Sequence, residues 1–339
     1  MRLFALALLA VSAAACSAPA DVPDEQDPTA SEEADLTGDN DWSEYAPTDG
    51  ELAGAPAAQP LDDELTLFAI PAPKVISLSW NTPGGLARRT LLNEGLGLSR
   101  ALGHAIVRVS CDKGASHFQG SVVDTGDDFK RMVLKEKAGL GVLFRTVPGA
   151  LEPEADGQET IDKRYGNGRI SFIRFAIAKD TCHELLDYAK AFDQAKVASQ
   201  YGFVRPLYRE GSGCSAFSMA FLELAGLDEQ RFRNAWSFDV RVPSSLIGDT
   251  SVLQLLFTFR PWASETEPHQ RLVGWDPTKM FKTIREFARS GSEKTEKRGR
   301  AIGIVLDRRS VKPRSELANR TFWAGAPNAP RNWWGFGDP

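Results

Sequence analysis

The sequence predicts an α+β fold in which a largely antiparallel sheet packs against helices. Two observations support this prediction. Residues 104–111 and 116–123 are β-branched, alternating runs on either side of a turn at Asp112-Lys113-Gly114, which is typical of a hairpin. Further strand-like runs are mixed with amphipathic helical patterns along the rest of the chain, and such a mixture is typical of α+β proteins.

Residues 1–15 have the pattern of an export signal. Arg2 is followed by an apolar run over residues 3–11, which is too short to span a membrane, and three alanines precede Cys16. A cysteine directly after a stretch of small residues resembles the lipobox of bacterial lipoproteins. In that case Cys16 would become the lipidated first residue of the mature protein. Ala13 stands where a larger aliphatic residue is usual, so the alternative is an ordinary signal peptide with an incidental Cys16.

Residues 16–65 are predicted to form a disordered acidic linker. From residue 17 this segment holds fifteen Asp and Glu and no Lys or Arg, and most of the remainder is Pro, Ala, Gly and Ser. Such a composition buries too little apolar surface to offset the entropy of ordering, and like charges extend the chain. The segment therefore fits a spacer that holds a folded domain away from a membrane.

Residues 66–339 are predicted to form a single domain, because no repeat or second low-complexity linker interrupts them. This body holds 39 Lys and Arg against 30 Asp and Glu, although the whole chain has a net charge of −5. A surplus of nine positive charges fits acidic partners, among them cell-wall polymer, lipid headgroups or the linker itself, or serves solubility alone. No nucleic-acid motif accompanies it, so no nucleic-acid partner is expected.

The elements of this body follow in order from local patterns. Outside the hairpin, strands are predicted at residues 74–80, 169–177, 251–259 and 301–306, with a short helix and loop at residues 86–102 and a surface loop at residues 148–168. Thr181 and Glu184 have the spacing of a capping box, which predicts that a helix begins there. Asp276-Pro277 begins a further helix, whose apolar face is Met280, Phe281, Ile284 and Phe287.

Cys214 is predicted to open a helix. A turn at residues 211–213 precedes it, apolar residues recur at helical spacing from Phe217 to Ala225, and Gly226 supplies the stop. A thiol at a helix N-terminus lies beside unpaired N–H groups and the positive end of the helix dipole, both of which favour the thiolate. Cys214 is therefore either a nucleophile or a buried core cysteine, which is a common state of free cysteine.

The cysteine count bears on this choice. If Cys16 is lipidated, Cys111, Cys182 and Cys214 remain, and an odd number in an exported protein predicts one disulfide and one free thiol. The sequence leaves all three pairings open, and a bridge between Cys111 and Cys182 is the one that leaves Cys214 free. A zinc site built from Cys111, His117, Cys182 and His183 is disfavoured because the ligand spacing is unusual, so no metal or other cofactor is predicted.

A thiolate nucleophile needs a neighbouring base, which is most often histidine. His104 is the best placed of the four histidines, because it follows Gly103 at the beginning of a buried strand. A Gly-His that opens a strand, followed by a Gly-Cys that opens an amphipathic helix, resembles the circularly permuted papain-like proteins, the permuted relatives of the NlpC/P60 cell-wall peptidases. The resemblance covers residues 75–227 and leaves residues 228–339 as a C-terminal extension.

The resemblance implies a papain-like, circularly permuted fold in which His104 faces the thiol of Cys214. The family adds a third polar residue after the histidine, and His117 is the prediction for it here. A tight turn at Gly114 would place Val123 opposite His104 and would make Gln119 or Asp124 the rival candidates.

The prediction for function is a cell-envelope cysteine hydrolase that cleaves amide bonds in peptides or peptidoglycan. It would be an exported monomer, held by its lipid at the outer membrane or in the periplasm. Two alternatives remain: a non-catalytic envelope lipoprotein that binds cell-wall or membrane partners, and a thiol-dependent acyltransferase that uses the same residues.

Overall fold

A computed structural model describes residues 46–72, 80–95 and 102–328 and shows an α+β protein. The predicted export signal, the lipidation site at Cys16 and most of the predicted strand at residues 74–80 lie outside these ranges. Among the helices in these ranges, none has both the length and the hydrophobicity of a transmembrane span.

The centre of the fold is a six-stranded sheet. Its strands are β1 (Glu64–Ile70), β2 (His104–Cys111), β3 (Ser116–Gly120), β6 (Ser171–Ala176), β10 (Lys294–Arg298) and β11 (Ala301–Asp307). Their order across the sheet is β10-β11-β6-β1-β2-β3, and all neighbouring pairs are antiparallel except β6 and β11, which run parallel. Every residue of β1 is buried and β1 lies inside the sheet, so the strand begins within the predicted linker and continues into residues for which the sequence analysis predicted no element.

Two smaller sheets flank this one. β4 (Val122–Asp124), β5 (Val147–Leu151) and β7 (Gln200–Tyr201) form the first, and β8 (Ser237–Pro243) pairs with β9 (His269–Trp275) in the second. The helices are α1 (Asp49–Gly54), α2 (Pro83–Gly95), α3 (Asp128–Leu134), α4 (Glu154–Asn167), α5 (Lys179–Gln194), α6 (Cys214–Leu224), α7 (Gln230–Trp236), α8 (Val252–Leu256), α9 (Pro277–Ser290) and α10 (Ser315–Ala318).

Helix α6 lies in the main hydrophobic core, against β2. Phe217, Phe221 and Leu224 are fully buried there, so the apolar pattern that predicted the helix faces the sheet and the neighbouring α5. Gly226 follows with φ +72°, a left-handed conformation that glycine adopts at little cost, and it ends the helix as predicted. The packing of α6 on β2 brings the beginning of the helix to the beginning of the strand.

The predicted linker extends too far, because the chain is already folded at residue 48. Thr48 caps α1 through a capping box, and Glu51 pairs with both Arg285 and Arg289 on α9. Glu64 lies in the sheet and pairs with the buried Arg174. Composition predicted disorder for this part because the segment is acidic and has little apolar surface to bury, whereas the fold supplies buried strand contacts and basic partners more than 100 positions away.

Three local predictions were also wrong. Residues 251–259 contain the short helix α8 instead of a strand, because Ser251 and Gln254 form a capping box. Helix α5 begins at Lys179, so Thr181 lies inside its first turn and does not cap it. The predicted loop at residues 148–168 contains most of β5 and the helix α4.

Candidate active site

Cys214 is the first residue of α6, as the sequence predicted. Gly213 precedes it in an extended conformation, with φ −104° and ψ 170°, as the N-cap. A Cβ atom at Gly213 would lie 3.0 Å from the carbonyl oxygen of Gly202, so the absence of a side chain lets the two backbones approach. The Cys214 side chain is nearly covered, at 6% exposure of the residue.

His104 is the first residue of β2 and pairs with Ile70 across the sheet. Gly103 before it has φ +85°, and a Cβ atom there would come within 2.8 Å of the carbonyl oxygen of Ile70. Only glycine fits this turn without strain, so Gly103 fixes the point at which the chain enters the strand. His104 is buried, at 3% exposure.

The side chains of Cys214 and His104 are joined by a hydrogen bond. Burial raises the pKa of the Cys214 thiol, but the hydrogen bond and the charge of His104 lower it, and so do the backbone N–H groups of Ala105 and Ser215. The net result is a thiol pKa below its ordinary value. Favourable interactions with these three residues therefore outweigh the cost of holding a thiolate away from water.

A third side chain, Glu152, completes the site. Its Oε2 lies 3.2 Å from Nε2 of His104, and both side chains are almost inaccessible, at 5% and 3% exposure. Glu152 follows the last residue of β5, and its N–H donates to the carbonyl oxygen of Ser121 over 2.9 Å. The Ser121 hydroxyl in turn donates to the carbonyl oxygen of Ala105 over 2.8 Å, which ties this carboxylate to the strand of His104.

Glu152 takes the place that the sequence analysis gave to His117. His117 pairs with Ser110, six residues along β2 from His104, and its exposed side chain contacts Glu154 at 3.0 Å. The rival candidates are also displaced: Gln119 binds Arg108, and Asp124 lies exposed on β4, opposite Gly149. The reason is that β3 ends at Gly120, opposite Val107, before it reaches the level of His104.

The sequence carried only a weak signal for Glu152. Its neighbours Pro153 and Glu154 lie in a stretch rich in Pro, Gly and acidic residues, which is typical of a surface loop. The residues before it, Val147–Leu151, include Pro148 and Gly149, which are unusual inside strands, so the sequence pattern does not predict the strand that ends at this carboxylate.

The remaining cysteines form the disulfide that leaves Cys214 free. Cys111 and Cys182 are bonded, with their Cα atoms 5.9 Å apart, and Cys214 is the free thiol of the described chain. Of the described residues, Asp63, Cys111 and Cys182 form the one group with three metal-ligating atoms close together, and its two sulfurs are already bonded to each other. The zinc alternative therefore lacks its thiolates, and His183 pairs instead with Asp112 at 2.9 Å.

Comparisons with protein-family models, with curated proteins and with solved structures found no match for this chain. The site must therefore be interpreted from its own chemistry. It holds a thiol of lowered pKa, an imidazole in contact with it and a carboxylate in contact with the imidazole. A nucleophile, a base and a group that orients the base are the three parts of a nucleophilic triad.

Proposed function

We propose that this protein is a cysteine hydrolase that forms a thioester intermediate, with Cys214 as nucleophile, His104 as general base and acid, and Glu152 as the residue that positions His104. The single observation that carries the proposal is that a buried imidazole contacts both the free thiol and a buried carboxylate. A core cysteine needs neither partner, and burying three polar side chains together is costly unless they serve one another.

The geometry supports a defined division of roles. Nε2 of His104 is engaged by Glu152, which leaves Nδ1 as the ring nitrogen that serves Cys214. The imidazole takes the thiol proton, and the thiolate attacks the carbonyl carbon of the substrate. The imidazolium then gives that proton to the leaving amine as the C–N bond breaks and the thioester remains. Water, deprotonated by His104, attacks the thioester and releases the acid and the thiol.

The oxyanion that forms in each attack needs hydrogen-bond donors. The backbone N–H of Cys214 is suited to this role, because the first N–H groups of a helix have no intrahelical acceptor and lie at the positive end of the helix dipole.

The substrate class is proposed from the sequence. The export signal and Cys16 suggest an envelope protein held to a membrane by lipid, and peptides or peptidoglycan are the amides at hand there. The order of histidine before cysteine supports a circularly permuted, papain-like chain related to the NlpC/P60 peptidases. Transfer of the acyl group to another acceptor would use the same thioester and would differ only in the second step.

Alkylation by iodoacetamide tests the thiolate directly. Cys214 should react well below the pH of about 8.5 at which an ordinary thiol ionises, since its pKa is lowered. His104→Ala should return the reaction to the pH profile of an ordinary buried thiol, and His117→Ala should leave it unchanged, because His117 contacts Glu154 at the surface. Mass spectrometry of the peptide that contains Cys214 reads out the rate. An unperturbed profile in the wild type would refute the proposal.

A further inference from the structure

Three aromatic rings pack together in a cluster whose chain neighbours contact residues next to Cys214. The rings of Trp80 and Phe238 are stacked, with centroids 3.7 Å apart, and Phe203 meets them edge-on at 6.0 and 5.7 Å. We call these three residues the aromatic wall. They belong to the second hydrophobic cluster of the molecule, which is separate from the main core behind α6.

The aromatic wall is linked to both sides of Cys214 through the backbone. Gly202, the residue before Phe203, lies against Gly213, which precedes Cys214. On the other side, Ser215 donates its hydroxyl hydrogen bond to the carbonyl oxygen of Trp275 over 3.0 Å. The rings of Phe203 and Phe238 pack against the backbone of Gly274, where a Cβ atom would lie 3.2 and 2.6 Å from them.

A residue close to the base in sequence belongs to the same cluster as the aromatic wall. Leu102, two residues before His104, packs against the same hydrophobic cluster. The cluster that contains the aromatic wall therefore adjoins the residues on either side of Cys214 and the segment that precedes His104.

The exposure of these rings differs from that of the residues they border. Cys214 and His104 are nearly covered, and so is Phe238, whereas Trp80 and Phe203 are partly exposed. The Trp262 indole N–H donates to the carbonyl oxygen of Trp80, which holds that residue in place. Partly exposed, fixed aromatic faces on segments that contact the neighbours of Cys214 offer contact area to a ligand at a low entropic cost.

We infer that the aromatic wall is the acyl-group subsite of this enzyme and that it selects substrates with an apolar, ring-shaped group next to the scissile carbonyl. The inference rests on the proposed thioester chemistry at Cys214. A ring laid on Trp80 and Phe203 would exclude water from the neighbouring thiol and would hold the carbonyl within reach of the sulfur.

Two alkylating reagents that differ only in a ring test this subsite. The alkylation rate of Cys214 with 2-iodo-N-phenylacetamide, divided by its rate with iodoacetamide, gives a ring preference. The same ratio is measured with N-acetylcysteine as the reference thiol. We expect the wild-type ratio to exceed the reference by about tenfold, from stacking and apolar burial of the phenyl group. Trp80→Ala and Phe203→Leu should each bring the ratio down towards the reference.

A matched control and a stability measurement keep the result interpretable. Phe259 is 78% exposed and stacks with Arg88, outside the aromatic wall, so Phe259→Ala should keep the wild-type ratio. Thermal melting identifies any variant that fails to fold. If Trp80→Ala fails to fold, the ring preference of Phe203→Leu tests the subsite instead. A wild-type ratio equal to the reference, or one that both wall variants leave unchanged, overturns the subsite. The thiolate fraction cancels in the ratio of the two rates, so the ratio tests the subsite alone. A wild-type protein that does not react with iodoacetamide at low pH would instead overturn the proposed function.

Discussion

Replacing Glu152 by Gln removes one negative charge from the site and nearly preserves the shape of the side chain. In the wild type the carboxylate lies 3.2 Å from Nε2 of His104, and both groups are shielded from water. A carboxylate stabilises the imidazolium, and the imidazolium stabilises the thiolate of Cys214. The variant should therefore shift the balance of the pair from thiolate and imidazolium towards thiol and neutral imidazole.

The size of the effect follows from the kind of contact that is lost. A hydrogen bond to a charged group contributes about 1.5–3 kcal/mol, and one pKa unit corresponds to about 1.4 kcal/mol. The apparent pKa of the thiol should therefore rise by about 1–2 units, and the pH at which alkylation reaches half of its maximal rate should move upward by the same amount. At a pH above the ionisation of an ordinary thiol, the two proteins should react at similar rates.

The assay is the rate of iodoacetamide incorporation at Cys214 between pH 5 and 10. Glu154→Gln is the matched control, because this neighbouring carboxylate contacts the exposed His117 and lies outside the site. It should keep the wild-type profile. The reasoning is refuted if Glu152→Gln also keeps that profile while the protein remains folded, or if both variants shift it equally.

Two further predictions concern stability. The disulfide closes a loop of 71 residues, so removal of both Cys111 and Cys182 by substitution with Ala should lower the free energy of unfolding by about 4 kcal/mol in urea titrations; an unchanged midpoint would contradict this. Burial raises the pKa of Glu223 from 4.5 to about 7, so the folded state binds this proton more tightly than the unfolded state. Its contribution to stability is present at low pH and is lost as the pH rises through 7, so Glu223→Gln should stabilise the protein by up to about 3 kcal/mol at pH 8 and by little at pH 5. Equal effects at the two pH values would exclude this explanation.

The two main residues of the candidate site were visible in the sequence because each has a local signature. Cys214 stands between a glycine turn and a helical apolar pattern, and His104 stands between a glycine and a β-branched run. These patterns depend on the few residues around them, and the structure contains both the helix and the strand. The meeting of the two side chains was an expectation from the family resemblance, and the packing of α6 on β2 produces it.

The third residue had no such signature. Glu152 reaches His104 because β3 ends early, the chain crosses to β4, and β5 pairs with β4 in a register that ends at Leu151. A difference of one residue in that register would turn the carboxylate away from the imidazole. The sequence showed the turn of the hairpin but not the residue at which its second strand ends. His117 on that strand was therefore predicted as the third residue of the site.

The sequence by itself determined the elements that depend on neighbouring residues: the hairpin, the beginning of α6, and an odd number of cysteines in the body. The tertiary structure decided which cysteines pair, which carboxylate meets His104, and that Glu51 and Glu64 belong to the folded body. The physical reason is the range of the interactions. Periodicity and capping act within a few residues, whereas a disulfide, a buried ion pair and a triad join segments between 48 and more than 200 positions apart, and only the packed sheet brings those segments together.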